Sequence, residues 1–309
     1  MTLRRNILIF HQGALGDFIV TWPLALALAR LHPQSRVFYV TQGQKGALAE
    51  KVLRVESMDI ESGAWHLLHA EAPAPLPAAS AKALSGAHTI LNFVSGENDP
   101  WARNVRSVNP ETSLLTLSTA APQSFASHQS EFFVEQLAVW PAAQSAARQI
   151  LRSIAERGLG PVPSPDGPVV IHPGGGAAQK CWPAEHYLEL AKRLREQGRR
   201  VRVLLGEVEM EQWAVAQIEK FRKICEVLTP PTLTDLLSAV VPVSVFIGND
   251  SGPGHLAGIL GVPTLSLFGT TSNPLRWKPL GPRVKVLHEA IDSLSVDTVL
   301  HATEQIASK

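Results

Sequence analysis

Short apolar segments alternate with helical segments along this chain, and this alternation restricts its fold more than any other feature. Residues 6–10, 37–40, 169–172 and 243–247 are apolar runs of buried-strand length, and glycine-bearing loops or helical stretches follow them. Further strand candidates are residues 89–93, 113–117, 201–205, 224–228 and 264–268. Strands that alternate with crossover helices form parallel sheets. The sequence therefore predicts an α/β fold with parallel sheets.

The length of the chain predicts two domains, because 309 residues are about twice the size of a typical domain. Residues 158–168, with the sequence GLGPVPSPDGP, are too rich in glycine and proline for a helix or a central strand. We interpret them as the linker between domains at residues 1–160 and 161–309. We also expect a loop at the Ala/Pro-rich residues 71–83, and helices at residues 183–197, 209–221 and 296–307.

Composition limits the classes of partner and compartment. The formal net charge is +1, so the chain has no general attraction to nucleic acid or to an anionic membrane. No apolar run reaches the roughly 18 to 20 residues of a membrane span. Cys181 and Cys225 lie far apart, without a C-x-x-C motif or zinc-ligand spacing, which is typical of reduced thiols. We expect a cytoplasmic protein that makes at most peripheral contact with the inner face of the membrane.

The first glycine-bearing loop, residues 11–17, has the sequence HQGALGD and follows the first predicted strand. It lacks the third glycine of a dinucleotide fingerprint, and the second predicted strand ends without an acidic residue, so NAD is not expected. Asp17 lies at the start of the next helix. It is either a general base or a carboxylate that caps the helix and compensates its dipole.

The second loop, residues 172–183, contains Gly174, Gly175 and Gly176 directly after a predicted strand. Consecutive glycines let backbone N–H groups approach an anion closely. Lys180 lies just before the next helix and adds its charge to the positive end of that helix. The alternative is a flexible loop with a solvated lysine. The loop is not a P-loop, because it has no G-K-[ST] sequence.

The third loop, residues 248–255, joins an apolar strand to a short helix rich in glycine and alanine. Its residues can present side chains or N–H groups to a diphosphate at a helix N-terminus. The candidates are Asp250, Ser251, Gly252, Gly254 and His255. A histidine by itself is more often a structural hydrogen-bonding group, and this alternative stays open for His255.

Four segments in this order resemble glycosyltransferase family 9, the ADP-heptose lipopolysaccharide heptosyltransferases. They are GALGD at 13–17, HPGGG with KCWP at 172–183, GNDSG with a histidine at 248–255, and FGTTSNP with a tryptophan at 268–277. The resemblance implies the GT-B fold, with two facing Rossmann-like domains and a last helix that crosses back onto the first. It also implies an inverting reaction that needs no metal or other cofactor.

The resemblance further implies roles for single residues. Asp17 matches the catalytic base, and Lys180 matches the lysine that contacts the donor phosphates. The loop from Asp250 to His255 matches the site of the donor diphosphate and sugar. The acidic residue that holds the donor ribose is assigned to Glu209, and the neighbouring candidates Glu207 and Glu211 stay open.

The acceptor site of the family is basic and lies in the first domain, where Arg103 and Arg106 are the clustered candidates. The predicted function is transfer of a sugar, with heptose from ADP-heptose favoured, to an acceptor that resembles the lipopolysaccharide core. This acceptor would be a glycolipid or a saccharide. Two alternatives remain. One is another GT-B enzyme, such as a sugar-nucleotide epimerase, and the other is a relative that binds nucleotide sugar without catalysis.

Overall fold

The computed structural model describes residues 5–72, 74–161, 164–175 and 180–307. Contacts divide the chain into two compact units. The first unit extends to Phe125 and includes Gln129–Leu151, and the second consists of Ala126–His128 and the chain from Arg152 onward. The division after Leu151 lies inside a helix, nine residues before the boundary at 160 that the linker composition indicates.

Within the described residues, the first unit contains a five-stranded parallel sheet with the order β3-β2-β1-β4-β5. The strands are β1 (Asn6–Phe10), β2 (Arg36–Thr41), β3 (Glu56–Asp59), β4 (Ala87–Asn92) and β5 (Ser113–Thr116). The helices are α1 (Leu15–Ile19), α2 (Trp22–Leu31), α3 (Gly43–Leu53), α4 (Ala78–Ser85), α5 (Pro100–Val108), α6 (Gln129–Gln136) and α7 (Pro141–Arg157). Short 3-10 helices span Trp65–His69 and Leu137–Val139. The last residues of α7 belong to the second unit.

The described part of the second unit contains a six-stranded parallel sheet with the order β11-β10-β9-β6-β7-β8. The strands are β6 (Val169–His172), β7 (Val201–Leu204), β8 (Glu226–Leu228), β9 (Val245–Asn249), β10 (Thr264–Phe268) and β11 (Val284–His288). The helices are α8 (Ala184–Glu196), α9 (Glu207–Gln212), α10 (Val215–Arg222), α11 (Leu233–Val240), α12 (Gly252–Ile259), α13 (Pro274–Trp277) and α14 (Val296–Ala307).

Both sheets have the strand order of Rossmann-like folds, and the predicted α/β class is confirmed. In each sheet the chain first adds strands on one side of its first strand and then returns to add the fourth strand on the other side. This reversal falls between β1 and β4 in the first unit and between β6 and β9 in the second. Ligands of such sheets bind at the carboxyl ends of the strands at this point.

The cores follow from the apolar runs of the central strands. In the first unit, the Phe10 ring packs edge-on against Trp65 and Trp101, with ring centroids 5.0 and 4.9 Å apart. In the second unit, α14 packs on α8 and on β9, β10 and β11. By these contacts α14 belongs to the second unit, and the expected return of this helix onto the first domain stays a prediction. Among the described helices, none has the length and apolar character needed to span a bilayer.

Several elements differ from the sequence-based expectation. The segment 71–83 is not entirely loop, because α4 begins at Ala78 and buries Ala83 and Leu84. The expected helix at 209–221 is two helices, α9 and α10, which are interrupted where Trp213 adopts an extended conformation. The strands β3 and β11 were not predicted. Both are edge strands that are only partly buried, so their sequences lack a continuous apolar run.

The first residues of the predicted linker are held against the C-terminal end of α12. The Leu159 N–H donates to the carbonyl of Ile259 at 2.8 Å. Gly158 and Gly261 both have positive φ, 70° and 89°, and their backbones are in direct contact. Only glycine adopts such a conformation without strain and also permits this close approach.

We expect Gly158→Ala to destabilise the protein more than Gly198→Ala. Both glycines have positive φ, 70° and 79°, so alanine strains the backbone at either site by about 1 kcal/mol. A Cβ at Gly158 would also lie 2.6 Å from the Gly261 nitrogen, whereas at Gly198 no described atom lies within 4 Å. Urea unfolding should give losses of about 3 and about 1 kcal/mol, respectively. Equal losses would contradict the tight contact at Gly158.

Candidate active site

Asp17 occupies the third position of α1, and Ala14 is the N-cap residue of that helix. Its half-buried carboxylate accepts a hydrogen bond from the Ala14 N–H, as the third residue of a capping box does. Burial raises the pKa of Asp17 above its usual value, and the Ala14 N–H and the charge of Lys45 oppose this shift. The residue is thus both a capping group and a carboxyl that is more basic than an exposed aspartate, so neither alternative is eliminated.

Lys45, in α3, is a site residue that the sequence analysis missed. Its Nζ donates to the Gly13 carbonyl at 2.5 Å and also bonds the Gln42 side chain. Burial lowers the pKa of Lys45, and the nearby Asp17 carboxylate opposes that shift. Lys45 therefore holds the loop before α1 and supplies positive charge next to Asp17. No sequence motif marks this lysine, because its partner lies 32 residues away.

The buried ring of His11 packs against the loop that precedes α1, at Gly13. Its ring packs between Phe18 and Phe93, with centroids 5.6 Å from each. Burial, together with the charge of Lys45, lowers the pKa of His11 to about 3. The imidazole is therefore neutral at physiological pH. A Cβ at Gly13 would lie 2.9 Å from the His11 Cε1, which explains why glycine is required there.

In the second unit, Asn249 connects the end of β9 to the glycine loop that follows β6. Its Nδ2 donates to the carbonyls of Pro173 and Gly174 at 2.9 and 3.0 Å. Its Oδ1 accepts from the Trp182 N–H and the Tyr187 hydroxyl, both at 2.9 Å. Asn249 lies in a segment that the sequence analysis had singled out, but its side chain was not chosen as a site residue. The structure shows that it fixes both ends of the loop.

Glu209 lies against this loop, whereas Glu207 and Glu211 are exposed. The Glu209 Oε2 accepts from the Gly206 N–H at 2.8 Å, and a Cβ at Gly174 would lie 1.9 Å from Oε1. The side chain is therefore buried between α9 and the loop, and only glycine fits at position 174. Of the three candidate carboxylates, only Glu209 lines the cavity described next.

A cavity of about 200 Å³ opens between the glycine loop and α9. Its walls include Pro173, Gly174, Gly175, Cys181, Trp182, Glu209 and Trp213. Burial, with a smaller effect of Glu209, raises the pKa of the Cys181 thiol to about 11, so the thiol stays protonated. His172, which donates from Nδ1 to the Leu204 carbonyl at 3.0 Å, has its pKa lowered by burial, against the effect of Glu209. Neither the protonated thiol nor the neutral imidazole therefore supplies a positive charge to the Glu209 carboxylate.

The N-terminus of α12 lies beside the glycine loop, because a Cβ at Gly175 would lie 3.9 Å from the Asp250 carbonyl oxygen. Ser251 is the N-cap residue, and its buried Oγ has no hydrogen-bond partner among the described residues. The first N–H groups of any helix lack intrahelical partners, so this end can bind an anion through Gly252 and Gly254.

His255 is buried in the first turn of α12. Burial, with a smaller effect of His128, lowers its pKa to about 3. The imidazole is therefore neutral, and its Nε2, 3.9 Å from the Asp250 Oδ1, does not form an ion pair. Its Nδ1 has no hydrogen-bond partner among the described residues. This geometry fits a hydrogen-bonding group and does not supply a positive charge.

The remaining sequence candidates have different surroundings. Lys180 is half-buried next to Cys181, after a segment outside the described residues to which Gly176 belongs. Arg103 and Arg106 lie on the exposed surface of α5. The Arg103 guanidinium contacts the Glu71 carboxylate at 3.2 Å and donates to the Asn98 carbonyl, also at 3.2 Å. The acceptor role of both arginines stays a prediction.

Fold and site together define a Rossmann-like α/β protein whose second unit has a glycine loop and a helix N-terminus at the carboxyl edge of its sheet. The family model of glycosyltransferase family 9 (heptosyltransferase) matches residues 125–299, which is more than half of the chain. The chain belongs to this family.

Curated relatives match over shorter stretches. Lipopolysaccharide heptosyltransferase 3 of Escherichia coli K12 is 31% identical over 117 residues, which cover 36% of this chain and 33% of the relative. Lipopolysaccharide heptosyltransferase 1 of Pseudomonas aeruginosa is 34% identical over 93 residues, which cover 30% of this chain and 26% of the relative. The chain thus matches about a quarter to a third of the length of these relatives.

Solved structures match over nearly the whole chain. A family 9 glycosyltransferase from Veillonella parvula has a TM-score of 0.70 at 18% identity, and the match covers 100% of this chain and 99% of the other. For the E. coli ADP-heptose lipopolysaccharide heptosyltransferase II the TM-score is 0.70 at 16% identity, with 98% of each chain covered. An E. coli heptosyltransferase with ADP has a TM-score of 0.69 at 16% identity, and the match covers 97% of this chain and 99% of the other. This likeness shows the fold, and the predicted GT-B class is confirmed.

We expect Asn249→Ala to lower the free energy of unfolding by about 3 kcal/mol or more, because four buried hydrogen-bonding groups lose their partner. Tyr187→Phe is the matched control. It removes only one of the four bonds, and we expect a loss of about 1 kcal/mol. Urea unfolding measures both. If Asn249→Ala were no more damaging than Tyr187→Phe, the connecting role of Asn249 would be wrong.

Proposed function

We propose that this chain is an inverting, metal-independent glycosyltransferase that transfers heptose from ADP-heptose to a saccharide or glycolipid acceptor resembling the lipopolysaccharide core. Membership of family 9 supports the reaction class. The observation that carries the proposal is the Asn249 side chain, which joins the glycine loop to the N-terminus of α12 beside the buried carboxylate of Glu209. Structures with this fold include heptosyltransferases of E. coli, one of them with ADP.

In this proposal the second unit binds the donor. The Glu209 carboxylate accepts hydrogen bonds from the ribose hydroxyls, since it lines the cavity and a carboxylate is a strong acceptor for such groups. The diphosphate binds to N–H groups of the glycine loop and of the first turn of α12. Lys180 adds a positive charge and stabilises the diphosphate as it leaves. These groups replace the divalent cation that many nucleotide-sugar enzymes use.

The first unit, in the same proposal, binds the acceptor and supplies the base. An acceptor hydroxyl attacks the anomeric carbon of heptose and loses its proton to the Asp17 carboxylate. The bond between the anomeric carbon and the diphosphate oxygen breaks, and ADP leaves with the electron pair. A single displacement inverts the anomeric centre. We place the enzyme in the cytoplasm, where a glycolipid acceptor would lie at the inner face of the membrane.

Substitutions of Asp17 and Lys180 separate catalysis from binding. We expect Asp17→Asn to keep donor affinity and to lower turnover by about two to four orders of magnitude, the usual contribution of a general base. Lys180→Ala should weaken both ADP binding and turnover, because a phosphate contact exists in the ground state and strengthens as charge develops. Transfer from ADP-heptose, assayed with EDTA present, and calorimetry with ADP measure the two effects.

Each outcome of this experiment has one interpretation. Near-normal turnover of Asp17→Asn leaves Asp17 as a helix cap only. Unchanged ADP affinity of Lys180→Ala removes the phosphate contact. Loss of wild-type transfer in EDTA contradicts metal independence. Conversion of the donor into a stereoisomer would favour an epimerase, and ADP binding without any turnover would favour a non-catalytic relative.

The pH dependence of transfer tests the coupling between Asp17 and Lys45. The base must be ionised, so kcat/KM should fall as the pH drops through the raised pKa of Asp17. Lys45 favours the ionised carboxylate. Lys45→Met should therefore raise the Asp17 pKa and move the acidic limb upward by roughly one pH unit.

Lys45→Arg is the control, because it retains the charge and should leave the acidic limb close to its wild-type position. An acidic limb that stays in place in Lys45→Met, or that moves to lower pH, would disprove the electrostatic role of Lys45. If Lys45→Met lowered kcat/KM at every pH and left the position of the acidic limb unchanged, the role of Lys45 would be to hold the loop before α1 through the Gly13 carbonyl.

A further inference from the structure

A second cavity, of about 520 Å³, lies at the carboxyl edge of the sheet in the first unit. Its floor is the cluster of Phe10, Trp65 and Trp101, three rings that are almost completely buried. The cavity size falls in the range of small-molecule sites, and an apolar floor with a few polar groups around it is typical of such sites. No residue of this cavity was chosen from the sequence.

The rim of the cavity is polar. Gln12, Glu61, His66 and His69 line it, and all four side chains are exposed. An amide, a carboxylate and two imidazoles together offer both donors and acceptors, which matches the hydroxyl groups of a sugar. The rim therefore suits a ligand with many hydroxyls better than an apolar one.

The charge at this cavity is negative. No lysine or arginine is among its lining residues in the described part of the chain, whereas Glu61 carries a carboxylate. Asp59 lies two residues before Glu61 in the chain. Its carboxylate accepts hydrogen bonds, of which the bond from the Ser62 N–H has the largest effect, and they lower its pKa, so this carboxylate is ionised as well. A sugar acid bound here would meet like charge without a compensating cation.

The cavity and the proposed base are connected through one loop. Gln12 belongs to the loop between β1 and α1 that also carries Asp17. Arg103 does not line the cavity, and its guanidinium contacts the carboxylate of Glu71. The loop that carries Asp17 thus borders a cavity with no lysine or arginine among its described lining residues, and the cation that contacts this loop, Lys45, does so at Gly13. The family resemblance, by contrast, implies basic acceptor residues in this domain.

We propose that this cavity binds an uncharged saccharide, so that the sugar that accepts heptose is neutral and not a sugar acid. The statement that the bound sugar is the acceptor rests on the proposed function. The affinity of the cavity for a sugar can be measured without any transfer reaction.

Matched pairs of ligands test the charge preference on the full chain. The probes are the methyl pyranosides of glucose, galactose and mannose, each with its uronic acid, and binding is measured by ligand-observed NMR. We expect at least one neutral glycoside to bind and its uronic acid to bind about two- to fivefold more weakly, since the two ligands differ only in charge near the exposed Glu61.

Reversal of the charge of Glu61 tests whether this carboxylate causes the preference for the neutral sugar. Glu61 is exposed, so Glu61→Lys should fold normally, and it should remove or reverse the preference for the neutral sugar. Glu111→Lys is the matched control. It makes the same charge change in the first unit, but at the cleft that contains Asn6 and Ala87, the first residues of β1 and β4. The wild-type preference should survive in this variant.

The results distinguish the inference from the proposed function. If a uronic acid binds as tightly as its neutral partner, if no neutral glycoside binds, or if Glu61→Lys and Glu111→Lys behave alike, the inference is overturned. If ADP does not bind to the same protein, the proposed function fails. Neutral-sugar binding that responds to Glu61 would then still establish a saccharide site in the first unit.

Discussion

The side chain of Asn249 makes four hydrogen bonds, which use its full capacity, and the glycine loop of the second unit depends on them. Two go to carbonyls of the glycine loop, at Pro173 and Gly174, and two come from the Trp182 backbone N–H, just before α8, and from the Tyr187 hydroxyl, within α8. Because an interior side chain fixes the loop, its glycine N–H groups need not take part in holding it. Rigid backbone donors stabilise a developing anion without reorganisation.

Asp17, the proposed base in the first unit, lies in less favourable surroundings. The Asp17 carboxylate is half-buried, and burial raises its pKa although the Ala14 N–H and Lys45 favour the ionised form. A carboxylate that served only to cap α1 could be exposed and would then lack this penalty. Local conflict of this kind, partly compensated by a nearby charge, is common at functional sites.

Sequence reasoning succeeded where a signal lies within one segment. The apolar strands and the glycine loops are local patterns, and they located the central strands of both sheets and the loops that follow them. The roles assigned to Asp17 and Glu209 stay predictions. It failed where the signal is a contact between distant segments. The partner of Lys45 is 32 residues away, and the partners of Asn249 are 62 to 76 residues away. Spacing could not separate Glu209 from its neighbouring glutamates, since burial alone distinguishes them. The strand β3 was missed because its sequence, ESMD, is polar.

On the proposed assignments, the two substrates are separated by charge as well as by shape. The second unit offers N–H groups and Lys180 to a diphosphate, and its nearby histidine, His255, is neutral. The first unit presents the carboxylate of Glu61 at its cavity, with the ionised Asp59 two residues away in the chain, and a diphosphate would be repelled there. An acceptor site that repels anions stays free of ADP and of unreacted donor, which would otherwise compete with the acceptor. A neutral acceptor and an anionic donor are thus the pair of substrates that this distribution of charge can keep apart.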